Sequence, residues 1–368
     1  MLKKILLLLL LPIVGFSQNV ILSDNAKVSI LTCGTAPVSY AMYGHTGIRI
    51  TDNVNQIDVV YNYGAFDFST PNFMMKFVKG DLQYFVTSEN YYDFEYNYKL
   101  DGRSIVAQEL NLITAQKQQL FNELNISLTS DERFYTYKFI DKNCTTMIVD
   151  KINKILGSEV LKQPKSKQSY REILYPYMSD FYMKFGIQII FGTKVDQPAT
   201  RLFLPLEFEK VLETATLNGQ KIAQPNIVLN KETITVPFSY MNSIYSLLAA
   251  IIILILINKK GIQITYFIFA GLLGLFFSLV GFFSLHEEIL WNYNIFLFNP
   301  LLLVFAFYYW KKNTSKIILL GQISIAFMLI YLAYIVNKIQ LLIVIPIVVL
   351  HLFWLVRIVM KYKKIVYK

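Results

Sequence analysis

Five apolar segments fill the last third of the chain, at about 240–257, 262–283, 295–310, 317–336 and 339–360. Each approaches the roughly 20 residues an α-helix needs to cross a hydrocarbon core. In lipid every backbone polar group must be satisfied within the segment, so these stretches are restricted to helices. The connecting stretches carry the charge asymmetry that orients a membrane protein. Asn258-Lys259-Lys260-Gly261, Lys311–Lys316 and the tail Lys361–Lys368 hold nine lysines, whereas Ser284–Asn294 and Asn337-Lys338 hold one. The positive-inside rule then predicts five spans across 238–368, with the C-terminus cytoplasmic and the residues before the first span outside.

The net charge of +10 belongs to this membrane part. Residues 238–368 hold 11 Lys and Arg against 2 Asp and Glu, while 18–237 hold 22 against 23. A nearly neutral exported region with basic inner loops argues against a nucleic-acid partner. Residues 1–17 read as a secretory signal: Lys3 and Lys4, then the apolar run Ile5–Val14, too short to span, then Gly15-Phe16-Ser17 as a small-x-small cleavage site. No cysteine follows, so it is not a lipoprotein signal. The expected domains are therefore a signal peptide at 1–17, a periplasmic domain at 18–237 and a transmembrane domain at 238–368.

Within 18–237 the first part is expected to be β-rich. Strands are predicted at Lys27–Thr32, His45–Ile50, Asp58–Tyr63, Ser69–Phe77 and Leu82–Thr87, and the dense aromatics from Tyr61 to Tyr98 read as sheet faces. A strand at Arg103–Ala107, a helix from Thr114 to Leu124 and a strand at Phe134–Phe139 follow. Residues 163–171 read as a polar linker, Leu206–Glu213 as a helix and Gln220–Val236 as a hairpin leading to the membrane.

The stretch with chemical promise is Lys142-Asn143-Cys144-Thr145-Thr146. It opens an amphipathic helix, Cys144–Leu156, with Ile148, Ile152 and Ile155 on one face and Asn143 as N-cap. A cysteine there meets unpaired N–H groups and the positive end of the helix dipole, which favour thiolate, the nucleophilic form. The same N–H groups are suited to a developing oxyanion. Two structural readings compete with this one: a buried core thiol, and a bridge between Cys144 and Cys33, the only other cysteine, which an exported domain permits. An activated cysteine needs a base, and the base an orienting group. His45 is the only histidine between 18 and 237. Histidine on a strand before cysteine on a helix is the order of a circularly permuted papain-like core. Asn62 is the first choice for the third residue, with Tyr63 and Asp67 behind it, since alternation cannot set register. A satisfied core histidine is the competing reading of His45.

The stretch Leu285-His286-Glu287-Glu288-Ile289-Leu290-Trp291-Asn292-Tyr293-Asn294 is expected on the outer surface, facing the exported domain. It reads either as an aromatic belt with solvated charges or as a substrate or headgroup contact through His286, Glu287, Asn292 and Asn294.

Several motifs in order carry a resemblance. Gly44-His45-Thr46, Tyr61-Asn62-Tyr63-Gly64-Ala65-Phe66-Asp67-Phe68, Asn72-Phe73, Gly80-Asp81-Leu82-Gln83-Tyr84 and Asn143-Cys144-Thr145-Thr146 resemble the Lnb family, which joins a periplasmic domain to a C-terminal membrane domain. Gly192-Thr193-Lys194-Val195-Asp196, Leu202-Phe203-Leu204-Pro205 and the loop with His286 and Asn292-Tyr293-Asn294 are similar too. The resemblance implies a lipoprotein N-acyltransferase with His45 and Cys144 as its catalytic pair. The Asn-Cys segment also resembles the permuted fold of lecithin:retinol acyltransferase-type proteins, by fold analogy.

The expected fold is thus an α+β, permuted papain-like (NlpC/P60-like) domain with an antiparallel sheet and a cysteine-bearing helix, joined to a helical membrane domain. The expected reaction moves an acyl chain from a membrane phospholipid, through a Cys144 thioester, to the α-amine of a lipoprotein's diacylglyceryl-cysteine. No cofactor and no metal are expected, since no His/Cys cluster is present to hold one. Two other classes stand beside it: a membrane-tethered cysteine peptidase or amidase, with water in place of the amine, and a non-enzymatic module with a structural disulfide.

Overall fold

The computed structural model describes residues 20–164 and 167–366. The signal-peptide expectation at 1–17 lies outside the described residues. In chain order the elements are β1 (Lys27–Cys33), β2 (His45–Asp52), β3 (Ile57–Ala65), α1 (Phe73–Lys79), β4 (Gln83–Asn90), α2 (Tyr91–Leu100), β5 (Ile105–Glu109), α3 (Thr114–Thr129), β6 (Phe134–Thr136), α4 (Cys144–Leu156), α5 (Tyr170–Leu174), α6 (Phe181–Ile190), α7 (Pro205–Thr214), β7 (Thr216–Leu217), β8 (Gln220–Lys221) and β9 (Ile227–Asn230). The helices α8 (Ile244–Ile257), α9 (Lys260–Phe283), α10 (Leu301–Lys311), α11 (Thr314–Ile335) and α12 (Leu341–Val366) follow.

Seven of the described strands form one sheet in the order β6-β4-β3-β2-β1-β5-β9, antiparallel at every pairing. Alternation divides its residues between two faces. Val28, Ile30, Ile48, Ile50, Tyr61, Tyr63 and Val86 pack with α3 and α4 in the main core. Leu31, Cys33 and Val60 face the other way and meet Phe94 of α2 in a smaller cluster. The region is therefore α+β, and α4, whose isoleucines 148, 152 and 155 are buried, is anchored to the sheet along its apolar stripe.

Several expectations need correction. Ser69–Phe77 is not a strand: Phe73–Lys79 is helical, bounded by Asn72 and Gly80, both in the left-handed region. Tyr91–Leu100 is also a helix, although its aromatic density favours strand. The strand from Phe134 stops at Thr136, where a bridge between Lys138 and Lys142 turns the chain back towards Asn143. The expected hairpin at 220–236 divides differently. The Asn218-Gly219 turn joins β7 to β8, while β9 adds to the main sheet beside β5.

Four stretches are long and apolar enough to cross a membrane: Lys260–Phe283, Glu287–Lys311, Thr314–Ile335 and Leu341–Val366. Of the five expected spans, the first is the one that falls short. α8 has 14 residues, about 21 Å of helix against a core of about 30 Å. The stretch 287–311 is broken: short 3₁₀ turns at Glu287–Ile289 and Tyr293–Phe296 precede α10, which begins after Pro300. Irregular backbone at this depth is tolerated where protein covers it. Here Asn292, Asn294 and Asn299 are buried, and the Asn292 and Asn294 side chains donate to backbone carbonyls of 189–191. Helix α6 packs on the membrane bundle, with Ile189, Phe181 and Phe185 in its core.

Candidate active site

Asn143 sets the position of Cys144. Its Oδ1 accepts from the N–H groups of Thr145 and Thr146 at 2.9 and 3.0 Å, and its own N–H donates to Thr146 Oγ1 at 2.8 Å. This reciprocal cap starts α4 at Cys144. Asn143 Nδ2 donates to the carbonyls of Phe139 and Phe203, which holds the preceding loop. The cap also narrows the expectation for an oxyanion site. Two of the helix's first N–H groups are spent on Asn143, and among the described residues the Cys144 N–H alone of these three keeps no partner.

His45 begins β2, beside Thr46, whose hydroxyl lies 2.9 Å from that of Thr145 in α4. That contact fastens the strand to the helix N-terminus and brings the His45 ring to the Cys144 thiol. Burial alone would raise the Cys144 pKa. The charge and hydrogen bond of His45 outweigh it, with help from the Thr46 N–H and the Thr145 hydroxyl, and hold the thiol below its ordinary value. Burial opposes charge on His45 as well, but Cys144 and then Asn62 raise its pKa above the ordinary imidazole value. Each group favours the charged form of the other.

The second ring nitrogen is occupied. His45 Nε2 lies 3.0 Å from Asn62 Oδ1, which leaves Nδ1 for Cys144. Asn62 sits on β3 opposite Gly47, and its Nδ2 donates to Glu89 Oε1 of β4 at 2.9 Å. Burial, aided by Asp93, raises the Glu89 pKa. The line Cys144–His45–Asn62–Glu89 thus draws on α4, β2, β3 and β4. Tyr63 instead points into the main core, and exposed Asp67 accepts from the N–H and hydroxyl of Ser69. Neither takes the place of Asn62 beside His45.

Two glycine and cysteine positions complete the surroundings. Gly64 has φ +109°, a conformation suited to glycine, and the β3–β4 register shifts around it. A Cβ there would lie 3.7 Å from Cys144 Cβ, so bare backbone flanks the nucleophile. Cys33 is the cross-strand partner of His45, yet both cysteines are free. The weighed Cys33–Cys144 bridge is not formed. Burial pushes the Cys33 thiol up to about 12, so it stays protonated.

Residues 17–175 match the family model of the Lnb N-terminal periplasmic domain, and residues 230–368 that of the Lnb transmembrane domain. The chain belongs to the Lnb family. No curated protein and no solved structure matches it. The Lnb match makes it a membrane protein with a periplasmic N-terminal domain, and the structure shows how the two parts meet.

In this Lnb chain the loop 284–294 is a seat for the periplasmic domain more than a free surface. The Ile140 N–H donates to Glu288 Oε1 at 3.3 Å, and Lys138 Nζ to the Leu285 carbonyl at 2.6 Å. Lys194 bridges Asp141 and Glu287 at 2.5 and 2.7 Å. His286 Nε2 lies 2.8 Å from the Phe77 carbonyl oxygen. The Gly192 N–H donates to the Glu288 carbonyl, and a Cβ on Gly192 would fall 1.7 Å from the Leu290 oxygen. Glu288, Asn292, Tyr293 and Asn294 are buried by these contacts, and Trp291 is left 84% exposed. His286, Glu287, Asn292 and Asn294 are therefore engaged in docking and make no hydrogen bond to Cys144 or His45. The docked residues 138–141 lie just before Cys144, so the nucleophile is held near the outer end of the bundle. Glu89, Thr46 and the docking role of the loop escaped the sequence reading. Thr46 stands in the Gly44-His45-Thr46 motif, the one sequence signal that included it.

Proposed function

We propose that this protein is a lipoprotein N-acyltransferase that carries the acyl group as a thioester on Cys144. The observation that carries the reading is the pairing of Cys144, at the start of α4, with His45, each favouring the charged form of the other, in a Lnb chain whose loop before Cys144 rests on the membrane domain. His45 takes the thiol proton and Cys144 Sγ attacks an ester carbonyl of a phospholipid. The tetrahedral oxyanion draws on the free Cys144 N–H. The bond between the acyl carbon and the glycerol oxygen breaks, His45 returns its proton to that oxygen, and lysophospholipid leaves. The free α-amine of a diacylglyceryl-cysteine then attacks the thioester carbonyl. An N–C bond forms, the S–C bond breaks, and His45 takes the amine proton, leaving an amide and the original enzyme. Splitting one transfer into two in this way gives ping-pong kinetics.

Asn62 holds His45 in one orientation, and Glu89 holds Asn62. The strand-borne histidine ahead of a helix-borne cysteine supports a permuted papain-like arrangement. The lysine asymmetry of the loops supports a cytoplasmic C-terminus. Both substrates are lipids of the outer leaflet, which suits a nucleophile fixed at the bilayer.

The test is the intact mass of the purified full-length protein after incubation with phospholipid, before and after hydroxylamine. An adduct of acyl-chain mass, released by hydroxylamine and absent from Cys144→Ala, is expected. Added diacylated lipopeptide should discharge it onto its α-amine. Discharge only to water would instead mark a hydrolase, and absence of any adduct would remove the thioester mechanism.

A further inference from the structure

Helix α1 has an odd position for part of a periplasmic domain. It contains no buried residue, and Met74 and Met75 are 65% and 67% exposed, with Phe77 and Val78 also exposed. An apolar patch of this kind on an exported domain calls for a covering partner. The C-terminal end of α1 is bound to the residues that follow the α9 span. The carbonyls of Phe77, Val78 and Lys79 meet His286 Nε2, Ser284 Oγ and the Leu285 N–H. α9 ends at Phe283, and Phe282 beside it is 91% exposed. α1 therefore sits level with the outer end of a membrane span. Lys76 and Lys79 lie in its last turn, with Lys79 Nζ 6.0 Å from the Phe283 ring centre.

A run of aromatic rings leads from α1 towards the nucleophile. Phe73 packs on Phe68 and Phe66 at 5.1 and 5.9 Å between ring centres, and Tyr40 caps both rings at 6.4 and 6.5 Å. Phe66 follows two residues after Gly64, which flanks Cys144. Phe66, Phe73 and Cys144 all pack against the same core.

We propose that α1 is inserted into the outer leaflet, and that the acyl chains of the phospholipid donor lie along Met74, Met75, Phe73, Phe66 and Phe68 as its ester reaches Cys144. The occupant is lipid because the patch continues the lipid-facing surface of α9 at the same level. An apolar face with lysines at its edge is the composition of an interfacial helix. The donor role rests on the acyl-transfer reading, whereas insertion of α1 does not.

The first measurement therefore avoids chemistry. Full-length Met75→Trp is placed in nanodiscs and its emission compared with that of the unsubstituted protein, which corrects for Trp291, Trp310 and Trp354. Lipids brominated on the acyl chain should quench the added emission about twofold or more, and aqueous acrylamide should leave it shielded. Val54→Trp, in the exposed turn between β2 and β3, should do the reverse. If Met75→Trp follows the Val54→Trp pattern, or is shielded from both quenchers as under a protein partner, the proposal is wrong. The second measurement uses Met74→Glu/Met75→Glu. Acylation of Cys144 from long-chain phospholipid should fall about tenfold or more, while acylation by a water-soluble short-chain thioester changes less than about twofold. Equal loss with both donors would assign the helix to folding and overturn the donor path. An unsubstituted protein that takes acyl groups from neither donor would sink the acyl-transfer reading, and the quenching result would still stand.

Discussion

His45 Nε2 and Asn62 Oδ1 lie 3.0 Å apart, and this contact fixes which nitrogen of the ring is offered to Cys144. Asn62 is itself held by Glu89 at 2.9 Å. An amide oxygen accepts from an imidazole N–H whether the ring is neutral or charged, so the ring keeps its orientation through both half-reactions. Asn62→Ala should slow Cys144 acylation by about a hundredfold, the cost of a misplaced catalytic group, with little loss of fold. The rate of adduct formation by intact mass checks this. A rate within twofold of the parent would show that His45 is positioned by something else.

The charge coupling between Cys144 and His45 makes a second prediction. Burial works against the thiolate, but His45 more than offsets it, so Cys144 loses its proton below the ordinary thiol range. Reactivity is therefore present at lower pH than for a free thiol and is lost as pH falls through the lowered value. Alkylation of Cys144 by iodoacetamide, followed by mass, should inflect below about 8.5. In His45→Ala the inflection should rise above that of the parent, because burial then acts without the imidazolium. The measured values belong to the pair and not to either residue alone. An unchanged profile in His45→Ala would remove the coupling.

Asp52 supplies a stability test away from the site. It is buried at the end of β2 and accepts from the Ser23 N–H and hydroxyl, the Val54 N–H and Asn55 Nδ2. Burial raises its pKa, but these four donors overcome it and hold the carboxyl far below the usual range. A depressed carboxylate stabilises the fold above its unfolded pKa and loses that contribution as pH falls through the folded value. Asp52→Asn should cost about 2 kcal/mol at pH 7, and the difference should shrink below about pH 4. Thermal unfolding of the full-length protein in detergent across pH would read it. A difference that does not change with pH would mean the cost is steric.

Legibility from sequence followed the physics of each element. The apolar stripe of α4 and its Asn143 cap were readable because periodicity and capping are local. The order of His45 and Cys144 was readable for the same reason. Glu89 was not, since its place beside Asn62 depends on the pairing of β3 with β4, which alternation leaves open. α1 escaped because no side of it is buried, so it writes no stripe into the sequence. α2 escaped because tyrosine and phenylalanine suit a sheet face as well as a helix that covers one. The docking role of the loop 284–294 is in neither of its two sequence readings, because its charges and asparagines find their partners in residues about a hundred or more positions away, such as Ile140 and Ile189.

The last prediction concerns the join between the two parts. Arg171 is 1% exposed, and its Nε lies 2.7 Å from Asp196 Oδ1, itself nearly buried. Its other nitrogens donate to the carbonyl and side-chain oxygens of Gln188 and to the carbonyls of Phe191 and Gly192. These acceptors belong to the same stretch, 188–192, on which the membrane loop docks: Asn292 on the carbonyls of Ile189 and Ile190, Asn294 on that of Ile189, and the Glu288 carbonyl on the Gly192 N–H. Lys338, at the outer end of α11, reaches within 3.6 Å of Asp196 Oδ2. Arg171→Met would leave Lys338 as the cation beside the aspartate, strip the two Gln188 oxygens and the Gly192 carbonyl of their donor, and leave the Phe191 carbonyl to Asn294. Breaking one side of a buried pair costs about 3–5 kcal/mol, and Lys338 beside Asp196 places the expected loss at the lower end of that range. Arg201 provides the contrast: its pair with Asp150 is exposed on both sides, and Arg201→Met should cost less than about 1 kcal/mol. Hydrogen exchange of the full-length protein should then show faster exchange at 188–192 and 288–294 in Arg171→Met, with the sheet unchanged. Because residues 138–141 rest on that same loop, transfer from phospholipid should fall in step with the loss of protection, while Arg201→Met leaves both near the parent. Equal effects from the two substitutions would show that burial of the Arg171 pair does not hold the join.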